Sequence, residues 1–162
     1  MVLAPAPDIT RRNSMAGKPP SKLFADASGF IALCDKNDAH HEEAAAFYAS
    51  LTEDTRLFTT LLVISETYTW LRYHVGYGYP AGHLFLDVVN EAASSEWLIL
   101  VYPDQALSKG AEAYLRRFRD QDLSYADAIS FAVLKARNIH DVFSFDRHFY
   151  LIKKNLWPGT IK

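Results

Sequence analysis

The chain has 162 residues, 49% of them apolar and 14% aromatic, with a net charge of −2. That length and apolar content suit one domain with a sizeable core, while no run nears the roughly 18 apolar residues of a membrane span and the N-terminus lacks the order of a secretory signal. No membrane partner and a cytoplasmic location are therefore expected, and the single cysteine, Cys34, excludes both an internal disulfide and a cysteine zinc cluster.

Charge is unevenly spread: residues 1–108 sum to −6 and residues 109–162 to +4. Such asymmetry lets one end attract phosphate while acids collect a cation elsewhere, although solvated helix faces explain it equally well.

Residues 1–21 hold four of the seven prolines and no periodicity, so they read as a disordered tail, with Met15 an alternative start and residues 22–162 a single domain. Lys22–Ala25 is a short apolar strand ending at Asp26, after which Ser28 is expected to cap a helix through Phe30, Ile31 and Leu33. Asp38 is expected to open a second helix to Leu51. Its His40-His41-Glu42-Glu43 run resembles a metal cluster only superficially, since adjacent residues diverge on a helix; a solvated face is the expectation.

Arg56–Thr59 reads as the second strand, with Thr59 or Thr60 capping a helix from Leu61 to about Tyr73. In that helix Glu66 shares a stripe with Leu62, Val63 and Trp70, an apolar setting that costs an ionised carboxylate several kcal/mol unless a cation or a donor meets it, a buried Glu bonded to a neighbouring cap being the other reading. After the Gly76–Pro80 turn, Ala81–Ala93 is helical with Leu84, Phe85, Val88 and Val89 inward and His83 outward. Trp97–Val101 is an unbroken apolar strand, as when helices cover both faces. Asp104 caps a helix from Gln105 to Arg119 that ends in the basic cluster Arg116, Arg117 and Arg119.

Ser124 followed by Asp127 is a capping-box signature opening a nearly all-apolar helix to about Arg137, with Asn138 suited to the left-handed turn that ends it. Val142–Phe145 is the next strand, Asp146 stands where it stops, and the segment from Lys153 can add a short edge strand near Thr160-Ile161. Strands thus alternate with helix pairs, which implies an α/β fold with a parallel sheet of four to five strands and helices on both faces.

Asp26 and Asp146 then follow parallel strands, while Glu66 and Asp127 lie in helices leaving the same sheet edge, so all four can meet at one rim. Singly, Asp127 is more often a capping acid and Asp146 a turn residue. Together, such acids raise one another's pKa and persist only with a compensating cation. Oxygen ligands select Mg²⁺ or Mn²⁺, and such an ion can polarise a phosphodiester and acidify a bound water. No Ser-His-Asp order, Walker loop or GxGxxG suggests another chemistry.

The segments FADASGFIAL, TTLLVISETYTWL, DLSYADAISFAV and FSFDRHF carry a further signal. Over about residues 22–150 the chain resembles the PIN-domain ribonucleases of the VapC toxin type. The resemblance implies a PIN-like three-layer α/β/α fold, Mg²⁺-dependent endoribonuclease activity, homodimers and a cognate antitoxin that wraps the protein. Asp26, Glu66, Asp127 and Asp146 match the family's acidic positions, with Asp26, Asp127 and Asp146 expected to hold metal and Glu66 to place metal or water. Ser144 stands where the family usually has Thr, and its hydroxyl is expected to orient a carboxylate or water. Asp-Ala-Ser replaces the commoner Asp-Thr-Ser, and the proline-rich tail has no counterpart. Arg116, Arg147 and His148 are candidate contacts to the RNA backbone, on nearness and charge alone. The rival reading is a PIN fold kept as an RNA-binding or scaffolding module with little turnover. An aspartyl phosphatase is disfavoured because Ser28, and not a second Asp, follows Asp26.

Overall fold

The computed structural model describes residues 19–159. Within them β1 (Lys22–Ala25), β2 (Arg56–Thr60), β3 (Leu98–Val101), β4 (Asp141–Phe143) and β5 (Asn155–Trp157) form one parallel sheet in the order β3-β2-β1-β4-β5. The helices between them are α1 (Ala27–Cys34), α2 (His41–Ser50), α3 (Leu61–Tyr73), α4 (Gly78–Ser94), α5 (Gln105–Arg117) and α6 (Tyr125–Ala136), with a 3-10 turn at Arg147–Ile152. The fold is therefore the expected α/β class with a parallel sheet.

β1 is the centre of the sheet, pairing Phe24 with Phe58 on one side and with Val142 on the other. Leu23, Phe24 and Ala25 are fully buried, which explains why the strand reads as an unbroken apolar run. α6 is covered on nearly all sides, with Ala128 through Leu134 all buried. Truncating its Phe131 to Ala would cost about 3–5 kcal/mol, the usual range for a buried aromatic.

Two close approaches position the site. Gly29 lies against β4, where a Cβ would stand 2.6 Å from the Phe143 carbonyl oxygen, so only glycine lets α1 dock there. Gly110 of α5 faces Ala132 of α6, and Tyr114 meets Phe131 edge-on at 5.6 Å. Two helices packed along their lengths across a short link form an antiparallel hairpin, so the basic end of α5 lies beside the start of α6.

Several boundaries differ from expectation. Asp26 itself caps α1, accepting from the Ser28 backbone N–H, so Ser28 lies inside the helix. Asp38 does not open α2; its carboxylate accepts from the His40 N–H in a turn, and the helix begins at His41. The two histidines diverge as expected, but into contacts rather than solvent: the His41 ring pairs with the Ala32 carbonyl at 2.8 Å and His40 stacks on Phe145.

Thr60 is the cap of α3. In α4, Leu84 is exposed and Val88 half-buried, because the helix turns Gly82, Phe85 and Val89 inward. The β3 run lies at a sheet edge, so Ile99 and Leu100 are only half-covered. β4 ends at Phe143; the Ser144 N–H still meets the Trp157 carbonyl, but the next two N–H groups, of Phe145 and Asp146, turn to serine hydroxyls. The edge strand beyond β4 is formed by Asn155–Trp157; Thr160-Ile161, like residues 1–18 of the expected tail, fall outside the described residues. No helix among the described residues is long and apolar enough to cross a membrane.

Candidate metal centre

Asp26 sits where β1 ends and α1 begins, with its backbone N–H donating to the Phe143 carbonyl at 3.1 Å. Its Oδ2 accepts from the Ser28 hydroxyl at 2.8 Å and the Ser144 hydroxyl at 2.9 Å, and the carboxylate is only 6% exposed. The two serine oxygens are themselves 2.9 Å apart. Ser28 Oγ accepts from the Phe145 N–H and Ser144 Oγ from the Asp146 N–H, each at 3.0 Å. With backbone N–H groups on both oxygens, each hydroxyl's single proton is free to point at Asp26. Burial nonetheless pushes the Asp26 carboxyl above its ordinary range, with the serine bonds opposing that rise and the charge of Asp127 adding to it.

Asp127 caps α6 reciprocally: its Oδ2 accepts from the Ser124 N–H and hydroxyl, both at 2.8 Å, while its own N–H donates to Ser124 Oγ at 3.0 Å. The capping reading holds, and because both side-chain bonds fall on Oδ2 it does not exclude a place for this carboxylate in a site. Asp146 opens the 3-10 turn, accepting from the His148 N–H at 2.9 Å, and the His148 ring Nδ1 lies 3.1 Å from its Oδ2.

Glu66 behaves differently from the apolar-stripe expectation. Its side chain is exposed, because Leu62 and Trp70 are only half-buried and the stripe straddles the boundary of α3; Val63 alone of the three is buried. Even so, partial desolvation together with the charges of Asp26, Asp127 and Asp146 pushes the Glu66 carboxyl up to about 7. The four acids therefore share one electrostatic neighbourhood at the C-terminal rim of the strands.

A ring nitrogen of His148 and one oxygen each of Asp127 and Asp146 lie within 4.8 Å of one another. His148, a candidate RNA contact, has its ring beside the acids. Sequence reasoning also missed Ser28 as the second hydroxyl on Asp26. The only available signals were the Asp-x-Ser spacing at Asp26 and the Asp-x-His spacing at Asp146. Arg147 is exposed, and Arg116 is engaged by Glu112 one helical turn earlier, at 2.9 Å.

The donor set fits a divalent cation. The four carboxylates repel one another, and among the described residues no Lys or Arg forms an ion pair with any of them; His148 with Asp146 is the one such contact. Hard oxygen ligands converging without a counter-charge are what Mg²⁺ and Mn²⁺ select.

The PIN-domain family model matches residues 23–155. The chain belongs to the PIN-domain family. Among curated proteins, the 23S rRNA-specific endonuclease VapC20 of Mycobacterium tuberculosis, in strains CDC 1551 / Oshkosh and ATCC 25618 / H37Rv, is 28% identical over 127 residues, spanning 78% of this chain and 91% of the relative. Among solved structures, the crystal structure of M. tuberculosis VapC20, described as a sarcin-ricin loop cleaving toxin, superposes with a TM-score of 0.71 at 27% identity, covering 80% of this chain and 94% of that one. Sequence and fold thus agree on a PIN domain, one that is similar to VapC20.

Proposed function

We propose that this PIN domain is a metal-dependent endoribonuclease, the toxin of a toxin–antitoxin pair, hydrolysing phosphodiester bonds in structured RNA. The observation that carries the reading is the shared neighbourhood of Asp26, Glu66, Asp127 and Asp146, with no Lys or Arg ion-paired to any of them among the described residues. In this reading Asp26, Asp127 and Asp146 hold Mg²⁺, with Mn²⁺ the alternative. The ion, when bound, supplies Lewis-acid stabilisation of charge on the phosphate and a more acidic water. Ser28 and Ser144 fix the rotamer of Asp26, and Glu66, at the solvent side, accepts a hydrogen bond from the attacking water and aligns it.

A rim of carboxylates repels the RNA backbone, so attraction has to come from basic groups nearby. Arg116 at the end of α5, brought next to the start of α6 by the helix hairpin, and Arg147 beside Asp146 are the proposed phosphate contacts. The likeness to an enzyme named for 23S rRNA makes a ribosomal RNA loop the substrate to test first. A second copy of the chain and a cognate antitoxin are the proposed partners, and the cytoplasm the proposed site of action.

The test is cleavage of total RNA in Mg²⁺ by the wild type and by Asp127→Asn, with melting curves to confirm that both fold. The wild type should cut and the variant should not. Equal cleavage by the two would end the assignment, and a wild type that binds RNA without cutting it would favour the scaffolding reading.

A further inference from the structure

We propose that His148 is a nitrogen ligand of the bound ion, so that this site prefers Mn²⁺ and later first-row ions to Mg²⁺. The inference rests on the metal-dependent reading above and goes beyond it, because that reading uses oxygen ligands alone.

Among the described residues, the ligand atoms that lie within 4.8 Å of one another belong to Asp127, Asp146 and His148, a group that does not include Asp26. Two ligands bound at about 2.1 Å to one ion stand about 3 Å apart when adjacent and a little over 4 Å when opposite, so atoms this close can reach a shared ion with only small side-chain adjustment. Asp26, by contrast, has both serine hydroxyls on one oxygen, which draws that oxygen toward the protein.

The imidazole is also held in place. Its backbone N–H and its ring both meet the Asp146 carboxylate, the 3-10 turn carries the two residues together, and the side chain is only 31% exposed. A preset ring loses little rotamer freedom on binding, which favours its use as a ligand over a free surface histidine. Imidazole nitrogen suits transition ions, whereas Mg²⁺ keeps oxygen ligands and water. Replacing one oxygen donor by nitrogen therefore shifts preference along the Irving–Williams order away from Mg²⁺.

The competing explanation is that His148 only orients Asp146 through their hydrogen bond. The two differ in what they do to ion choice. Pulsed electron paramagnetic resonance of the full chain loaded with Mn²⁺ should show coupling to an imidazole nitrogen, lost in His148→Ala. Mn²⁺ titration with Mg²⁺ competition should show that variant losing at least about tenfold in Mn²⁺ affinity, while Mg²⁺ affinity changes less than about threefold. No nitrogen coupling in the wild type, or equal weakening toward both ions, overturns the proposal. The wild-type spectrum decides even if the variant folds poorly. If Asp127→Asn abolishes Mn²⁺ binding while His148→Ala leaves both ions unchanged, the inference fails and the nuclease reading stands. If the wild type binds neither ion, both fail.

Discussion

Asp26 and Glu66 both feel the charge of Asp127, from opposite kinds of surroundings. Asp26 is buried, caps a helix and receives two hydroxyl bonds; Glu66 is exposed and its shift comes from desolvation and neighbouring carboxylates with no hydrogen bond to offset them. The difference teaches how a fold keeps repelling acids together. One is immobilised by donors that partly offset its burial, and the other is left at the water's edge, where solvent screens it.

The sharpest way to break this comparison is Asp26→Asn. Cleavage should fall by about a hundredfold or more, while the metal-free protein should gain ~0.5–2 kcal/mol because a buried charge has been removed. Gel cleavage assays and melting in EDTA measure the two effects. A variant that melts lower in EDTA would mean that the Asp26 charge is well compensated without an ion.

Ser144→Ala should have the next largest effect. It strips one donor from Asp26 and leaves the Asp146 N–H without its acceptor, at a cost of about 1–3 kcal/mol and about tenfold in activity. Ser144→Thr keeps the hydroxyl and should retain both. Equal loss in the two variants would show that shape, and not the hydroxyl, matters there.

The smallest effect concerns Glu66. Its folded-state carboxyl lies near 7 against an ordinary 4.5, so between those values the folded chain retains a proton that the unfolded chain releases. Stability of the metal-free protein should therefore fall as pH rises through that window, with Asp26 acting in the same direction. Melting temperatures in EDTA across the window should decline, and Glu66→Gln should flatten the decline. An unchanged slope in Glu66→Gln would place the titration elsewhere.

Much of this was legible in the amino acids because local chemistry and site chemistry coincide at particular residues. Asp127 announces itself through the Ser124 capping box, and the β1 run ending at Asp26 is readable from three apolar residues followed by an acid. The alternation of strands with helix pairs extended that reading to the parallel sheet. Legibility failed where a side chain's neighbours come from distant segments. Nothing local at Ser28 foretells a partner at Ser144, 116 residues away. Glu66 misled for a related reason, since a helical stripe reports which side is apolar but not where the packed surface stops. β5 was hard to place because Asn155-Leu156-Trp157 has one buried residue, too little for a strand pattern.

The tie between Ser144 and Asp26 spans 118 residues, and the central strand depends on β4 for one of its two neighbours. A nascent chain that has made Asp26, Glu66 and Asp127 but not yet β4 has a half-flanked sheet and an unsupported carboxylate. If the site works as proposed, synthesis itself is a safeguard: the cutting edge is finished only after β4, Ser144 and Asp146 have been made, and a product that ends before them lacks both the last acid and a donor to the first.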